Sequence, residues 1–171
     1  MTQFNIQGQY LKDMSIEHPN SPRIFLDQNL AKLKQNIGVN CNVNVMKIND
    51  SIFEITLEST VKSMLDNTDK SLENKTDKDL YAFIIEVKYS AIVSINGNLS
   101  DQELEEIFFV EVPLVLFPYI REKVSYGSLS CGFPSVMLSH IDFKQRYLEQ
   151  KDSIKSQTKN KQENVQENNS I

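Results

Sequence analysis

Four segments of the chain alternate apolar and polar residues with a period of two. They cover Phe4–Glu17, Val39–Met46, Ser51–Ser63 and Tyr81–Ile95. Successive side chains of a β-strand point to opposite faces, so this alternation predicts strands with one buried face. Four such strands in a row favour an antiparallel sheet with one face in water. Asn49 and Asp50, in the sequence KINDS, predict the turn between the second and third strands.

The parity of the first strand predicts which of its side chains are buried. The predicted core face carries Phe4, Ile6, Tyr10, Met14 and Ile16. Asp13, Ser15 and Glu17 fall on the opposite face, and Pro19 and Pro22 follow, which lack the N–H that a sheet ladder requires. The strand therefore ends in an acidic face. That face is either an ordinary solvated surface or a docking surface for a basic partner.

Helices are predicted after the fourth strand. Ser100, with a glutamate three residues later, fits a capping box before a short amphipathic helix, and Pro113 ends this helix or starts the next. A second helix is predicted in PLVLFPYIREKVSY, kinked or delayed by Pro118, with irregular chain from Gly127. Asp142 is the predicted N-cap of a third helix. Strands followed by helices predict an α+β fold, a four-stranded antiparallel sheet with helices packed on one face.

Two long polar segments do not fit the predicted strands and helices. Residues 62–79 are a long charged connection between the third and fourth strands, unless those strands extend into it. Residues 153–171 contain too few apolar side chains to offset a chain entropy of about 1–2 kcal/mol per residue. The sequence therefore predicts one domain over residues 1–152 and a disordered polar tail over 153–171.

Composition and charge exclude several classes of partner. The net charge of −5, from 18 basic and 23 acidic residues, argues against nucleic acid. The first residues lack the features of a signal peptide, and no apolar run is long enough to predict stable membrane insertion. Cys41 and Cys131 have no partner motif and are interpreted as reduced thiols of a cytosolic protein.

The sequence gives no sign of catalysis. His18 and His140 lack the spacing to Cys, Asp or Glu that metal sites show, and the chain contains no glycine-rich phosphate loop and no G-x-S-x-G motif. We therefore expect neither an enzyme nor a bound cofactor or metal.

Four stretches occur in one order between residues 4 and 150. They are FNIQGQYLKDMSIEHPNSPRIF, YAFIIEVKYSAIVSI, PLVLFPYIRE and CGFPSVMLSHIDF. Together they resemble the SecB family of export chaperones, whose members begin with a strand F-x-I-x-x-x-Y-x-K-D-x-S-x-E-x-P-x-x-P. The same family has L-F-P-[FY]-x-R in a helix and G-F-P before the last helix. Each motif alone is weak, but the combination is specific.

The resemblance implies a protein-binding function in which no reaction is catalysed. A SecB protomer has the sheet and helices predicted above and assembles as a homotetramer, a dimer of dimers. The family acts as an ATP-independent holdase that binds unfolded preproteins in the cytoplasm and delivers them to the SecA motor. Two other possibilities are a SecB-like chaperone dedicated to one client, as in a toxin–antitoxin system, and an enzyme or small-ligand protein on the same sheet. The latter would need a convergent polar pocket, which the sequence does not offer.

The resemblance also assigns residues. By motif position, the SecA-binding surface maps onto Asp13, Glu17, Ile84 and Glu86. The grooves for unfolded substrate map onto Ile37, Val39, Cys41, Phe143 and Tyr147, all of which could instead be ordinary core. Glu54 and Glu58 fall on the wet face of the third strand and are expected to add to the negative field. The long connection, the tail and the helix before LFP depart from the family pattern.

Overall fold

The computed structural model describes residues 3–26, 35–65 and 81–153. Its four long strands are β1 (Phe4–Glu17), β2 (Gln35–Lys47), β3 (Ile52–Leu65) and β4 (Tyr81–Ile95). They form one antiparallel sheet in the order β1-β4-β3-β2, which confirms the predicted sheet. A one-turn helix α1 (Arg23–Leu26) follows β1.

The strand ends agree with the sequence pattern except where the pattern is weak. β1 and β4 have the predicted ends, whereas β2 starts earlier and β3 continues to Leu65, inside the predicted connection. The rest of that connection and residues 154–171 of the predicted tail lie outside the described residues. The turn between β2 and β3 is as predicted, because Asn49 Oδ1 accepts the N–H groups of Ser51 at 3.0 Å and Ile52 at 2.8 Å.

The predicted face of Tyr10 is wrong. The β1–β4 register shifts by one residue between Ile6 and Gly8, and again between Leu11 and Asp13. Each extra residue exchanges the two faces of the strand, so Tyr10 points away from the helices and Leu11 points toward them. The second shift restores the original parity, and Asp13 therefore lies on the predicted wet face.

The helices form one long unit and one separate unit. Three segments follow one another without a break, namely α2 (Asp101–Glu106), a π-helical turn (Ile107–Glu111) and α3 (Val112–Ser130). The predicted capping box at Ser100 is confirmed. The helix passes through Pro118 and continues to Ser130, so the prediction of irregular chain from Gly127 is wrong for the last turn. The final helix, α4, covers residues 143–153, and Asp142 caps it as predicted by accepting the N–H of Gln145.

The π-helical turn lies where a proline interrupts the helix. Val112 donates its N–H to the Ile107 carbonyl, five residues back, and Pro113 follows with no N–H to donate. Wide turns of this kind accommodate an extra residue where the regular ladder is broken. Pro113 therefore changes the helix locally, and neither Pro113 nor Pro118 ends it.

α3 packs on one face of the sheet, which we call the inner face. Gly127 makes the close approach, because a Cβ there would lie 3.0 Å from Ile85 Cδ1 and 3.2 Å from the Met14 methyl. Tyr119 stacks on Tyr89 with ring centroids 5.0 Å apart. The other face of the sheet, the outer face, carries the polar halves of the four strands.

Candidate functional site

An acidic cluster lies on the outer face across β1 and β4. Across the strands, Glu17 is opposite Ile84, and Ser15, between Asp13 and Glu17, is opposite Glu86. Asp13, Glu17 and Glu86 are exposed, and none of the three forms an ion pair within the described residues. We call these three carboxylates the acidic strip. The four residues assigned from the family motif therefore share the outer face of two paired strands, with Glu17 opposite the half-buried Ile84 and Asp13 opposite Lys88.

The neighbouring acid Glu54 does not add to this field as the sequence suggested. Its side chain is buried, with Lys12 Nζ 2.6 Å from Oε2 and the Tyr10 hydroxyl donating to Oε1. The hydrogen bonds from Lys12 and Tyr10 lower the pKa of the Glu54 carboxyl, and the carboxylate raises the pKa of the Tyr10 phenol. Tyr10 makes this contact because the register shift in β1 turns it to the outer face.

Glu58 is also partly compensated. Lys88 lies between Asp13 on β1 and Glu58 on β3, and its Nζ is 3.9 Å from Glu58 Oε1. Two lysines also lie beside the acidic strip on the outer face, because Lys88 is opposite Asp13 and Lys62 is opposite Ile84 in the strand register.

An apolar groove opens between β2 and the segment that precedes α4. It has a volume of about 480 Å³, and its predicted members are Ile37 and Val39. The other lining residues are Ser135, Val136, Met137, Leu138, Ser139, His140, Ile141 and Arg146. Ile37 and Val39 are both exposed, so a core role for these two residues does not hold.

The other three predicted groove residues line a second, much smaller cleft of about 30 Å³ next to the groove. Cys41 is buried, with its thiol 3.4 Å from Ser59 Oγ, and burial raises the pKa of that thiol. Phe143 is also buried and packs edge-on against Phe117. Cys41 and Phe143 are therefore core side chains in this protomer, which is the alternative that the sequence left open.

Tyr147 links α4 to α2. Its ring stacks on Phe109, its hydroxyl donates to Glu105, and Lys151 Nζ is 2.7 Å from the same carboxylate. The hydrogen bond from Lys151 lowers the pKa of Glu105. The hydrogen bonds of Lys151 to Glu105 and to Tyr147 raise the pKa of Lys151. This small network holds α4, which forms one wall of the smaller cleft and contributes Arg146 to the groove.

Sequence reasoning missed Arg146 and the wall opposite β2. Arg146 lines both clefts, and its Nη2 donates to the Cys41 carbonyl at 2.8 Å. The wall residues, such as Val136 and Leu138, belong to a stretch without helical or strand periodicity. The one signal available was that apolar residues recur there in a segment that no secondary-structure pattern could bury.

Two other kinds of site are absent from the part of the chain that the structure describes. In residues 3–26, 35–65 and 81–153, no three His, Cys, Asp or Glu side chains lie close enough to hold a metal ion. No helix in those same ranges is long and apolar enough to cross a membrane.

Comparison with known proteins identifies the family. Residues 1–154 match the family model "SecB: Preprotein translocase subunit SecB". The protein-export protein SecB of Burkholderia vietnamiensis is 34% identical over 144 residues, covering 84% of this chain and 80% of its own. That of Burkholderia multivorans is also 34% identical, covering 84% and 79%.

A solved structure has the same fold. A SecB-like chaperone of Mycobacterium tuberculosis, in complex with a ChAD peptide from the HigA1 antitoxin, superposes with a TM-score of 0.58. The match covers 81% of this chain and 91% of that one at 14% identity, so the likeness concerns the fold alone. Together with the family match, which spans the sheet and all the helices, it identifies this chain as a member of the SecB family of protein-export chaperones.

Proposed function

We propose that this protein is an ATP-independent holdase of the cytoplasm that binds unfolded precursor proteins and delivers them to the SecA motor. The observation that carries the SecA part is the acidic strip. Three exposed carboxylates, none of them in an ion pair among the described residues, lie on the outer face of two adjacent strands. A basic segment of a partner gains charge complementarity there, which raises association rates and fixes register.

The proposed client site is the apolar groove beside β2. Ile37 and Val39 contribute aliphatic surface, and the opposite wall adds further apolar side chains, including Met137. An apolar groove without a fixed polar constellation tolerates many sequences, which a holdase for unrelated precursors requires. Each groove binds a short segment weakly, so several grooves on one assembly are needed for tight binding.

We propose that this assembly is a homotetramer, a dimer of dimers. Leu114, Val115 and Tyr119 are exposed on α3 in the protomer, next to the helix surface that covers the sheet. A row of exposed apolar side chains on one helix is typical of a surface that another copy covers.

Reversing Glu86 tests the SecA part of the function. Glu86→Lys changes the charge at the centre of the acidic strip, and we expect it to weaken SecA binding at least tenfold by calorimetry, an estimate of about 1.4 kcal/mol. The matched control is Asp101→Lys, which makes the same charge reversal at an exposed position of α2. Both variants should still slow the aggregation of an unfolded precursor. Unchanged SecA affinity of Glu86→Lys would contradict the assignment.

A dedicated chaperone is the second candidate, because the Mycobacterium tuberculosis chaperone of the same fold was solved with an antitoxin peptide. Capture of clients from cytosol distinguishes the two functions. An export chaperone should retain many proteins that carry signal peptides, whereas a dedicated chaperone should retain one antitoxin.

A further inference from the structure

A hollow on the outer face separates two opposite charges. It has a volume of about 400 Å³, and Thr60, Lys62 and Glu86 are among the residues that line it. Across β3 and β4, Thr60 is opposite Glu86 and Lys62 is opposite Ile84. Lys62 and Glu86 are therefore diagonal neighbours on this face, and diagonal positions of paired strands lie about 7–8 Å apart.

Lys62 and Glu86 do not neutralise each other. Neither forms an ion pair within residues 3–26, 35–65 and 81–153. The Lys62 Nζ lies over the ring of Tyr81, 5.6 Å from its centroid, as a cation over an aromatic face does. Tyr81 is opposite Met64, further toward the end of β3, so this contact directs the ammonium group away from Glu86. Both charges thus line the hollow and remain available to a partner.

The lysines that lie near Lys62 on the outer face are already paired. Lys12 Nζ is 2.6 Å from Glu54 Oε2, and Lys88 Nζ is 3.9 Å from Glu58 Oε1. Each of these two lysines therefore has a carboxylate of its own chain beside it. Lys62 has no such carboxylate in the part of the chain that the structure describes, so it can receive one from another protein.

We propose that the outer face recognises a mixed-charge segment of its partner, with a basic side chain at Glu86 and a carboxylate two residues away at Lys62. This rests on the proposed SecA part of the function and deepens it by naming the chemistry of the segment that docks. In an extended segment, residues i and i+2 point to the same side and are about 6.6 Å apart. That distance matches the diagonal spacing of Lys62 and Glu86.

Lys62 is the residue that makes this recognition selective. A carboxylate near its ammonium group gains an exposed ion pair, whereas a lysine or arginine in the same place is repelled. The acidic strip without Lys62 would attract any basic segment. Lys62 consequently restricts the surface to partners that carry both signs of charge at this spacing.

Calorimetry with SecA at low salt distinguishes selection from simple repulsion. We expect Lys62→Gln to weaken SecA binding about threefold, because the carboxylate of the partner loses its counter-charge. If Lys62 acted only by reducing the negative field, the same variant would bind SecA more tightly. Unchanged or tighter binding would therefore overturn the inference. Lys144→Gln, the matched control, removes one positive charge at an exposed position of α4 and should match wild type.

Isomeric peptides test the spacing. The probes are fluorescein-labelled nonapeptides of threonine and serine that carry one lysine, with a glutamate either one or two residues after it. Their net charges are equal, so a field that acts on net charge alone binds them equally. We expect wild type at low salt to bind the peptide with the two-residue spacing about threefold more tightly by fluorescence anisotropy. Lys62→Gln should bind both isomers alike, and Glu86→Gln should weaken the binding of both. Equal binding of the isomers by wild type, or binding of neither, would contradict the proposal.

The outcome separates this inference from the proposed function. If Glu86→Lys leaves the SecA affinity unchanged, the SecA part of the function fails and this inference with it. If Glu86→Lys weakens SecA binding and Lys62→Gln does not, the acidic strip stands as the docking surface and only the selection by Lys62 is overturned.

Discussion

At the scale of single residues, Glu54 and Glu58 are two acids on one face of β3 with different surroundings. Glu54 is buried and receives hydrogen bonds from Lys12 and Tyr10. Glu58 is only half-buried, and its lysine lies 3.9 Å away. A buried carboxylate depends on its partners, whereas a solvated one interacts with water as well.

The first prediction compares these two acids. Glu54→Gln should lower the free energy of unfolding by about 1–3 kcal/mol, because it removes charge-assisted hydrogen bonds in a buried setting. Glu58→Gln, the matched control, should cost about 0.5 kcal/mol or less. Urea unfolding of both variants at neutral pH measures the difference. Equal losses of unfolding free energy in the two variants would mean that the buried setting of Glu54 adds nothing to the stability of the protein.

The second prediction concerns pH. The Lys12 and Tyr10 hydrogen bonds hold the pKa of Glu54 below its ordinary value near 4.5. A carboxyl with a lowered pKa in the folded state stabilises the protein above its unfolded pKa, and this contribution disappears as pH falls through the folded value. The stability difference between wild type and Glu54→Gln should therefore be constant above about pH 5.5 and shrink below about pH 4.5. A stability difference that does not shrink in acid would mean that packing, and not the charge of Glu54, is its cause.

At the scale of elements, the contact of α3 with the sheet depends on Gly127. The helix approaches the sheet so closely that any side chain there meets Ile85 and Met14. Glycine in a helix costs about 1 kcal/mol relative to alanine, so its presence in the last turn indicates a packing requirement. The same close approach brings the helix over β1 and β4, whose outer face carries the acidic strip.

A valine at Gly127 tests this close approach. Gly127→Val should lower stability by about 1–3 kcal/mol through overpacking, despite the better helix propensity of valine. Gly8→Val is the control, because a Cβ at Gly8 has no neighbour within 4 Å. Thermal unfolding followed by circular dichroism compares the two. If the helix shifts freely to make room, Gly127→Val will match the control.

At the scale of the whole molecule, the two proposed sites occupy different parts of one sheet. The acidic strip lies on the outer face of β1 and β4, whereas the apolar groove lies at β2, the opposite edge in the strand order. A client in the groove therefore leaves the acidic strip accessible. The proposed function therefore allows a client and SecA to be bound at the same time.

The exposed row on α3 gives the prediction for assembly. Val115→Glu introduces a charge into this row and should dissociate the proposed tetramer, because an unpaired charge in an apolar interface is costly. Gln102→Glu adds the same charge at an exposed polar position of α2 and should leave the assembly intact. Light scattering at micromolar concentration measures the mass of each. An unchanged mass for Val115→Glu would place the interface elsewhere.

Much of the fold follows from local patterns in the sequence. The alternation in β4, the turn at Asn49 and the caps at Ser100 and Asp142 involve neighbours within a few residues, so they can be recognised without the structure. The face of Tyr10 could not be recognised, because a register shift depends on the partner strand. The continuation of α3 past Gly127 was missed for a related reason, since the packing of the helix on the sheet outweighs the low helix propensity of glycine.

The sequence by itself determined the four-stranded sheet, the helices on one face and the wet-face parity of Asp13, Glu17, Ile84 and Glu86, because side-chain parity is a property of the chain. The tertiary structure alone showed that the two strands carrying these residues are neighbours. Only the tertiary structure decided which acids stay uncompensated and which apolar residues stay open. Glu54 is paired with Lys12, and Cys41 is buried beside Ser59, through contacts between residues distant in sequence. Burial and electrostatic compensation depend on what surrounds a side chain in space, and the sequence does not contain those distances.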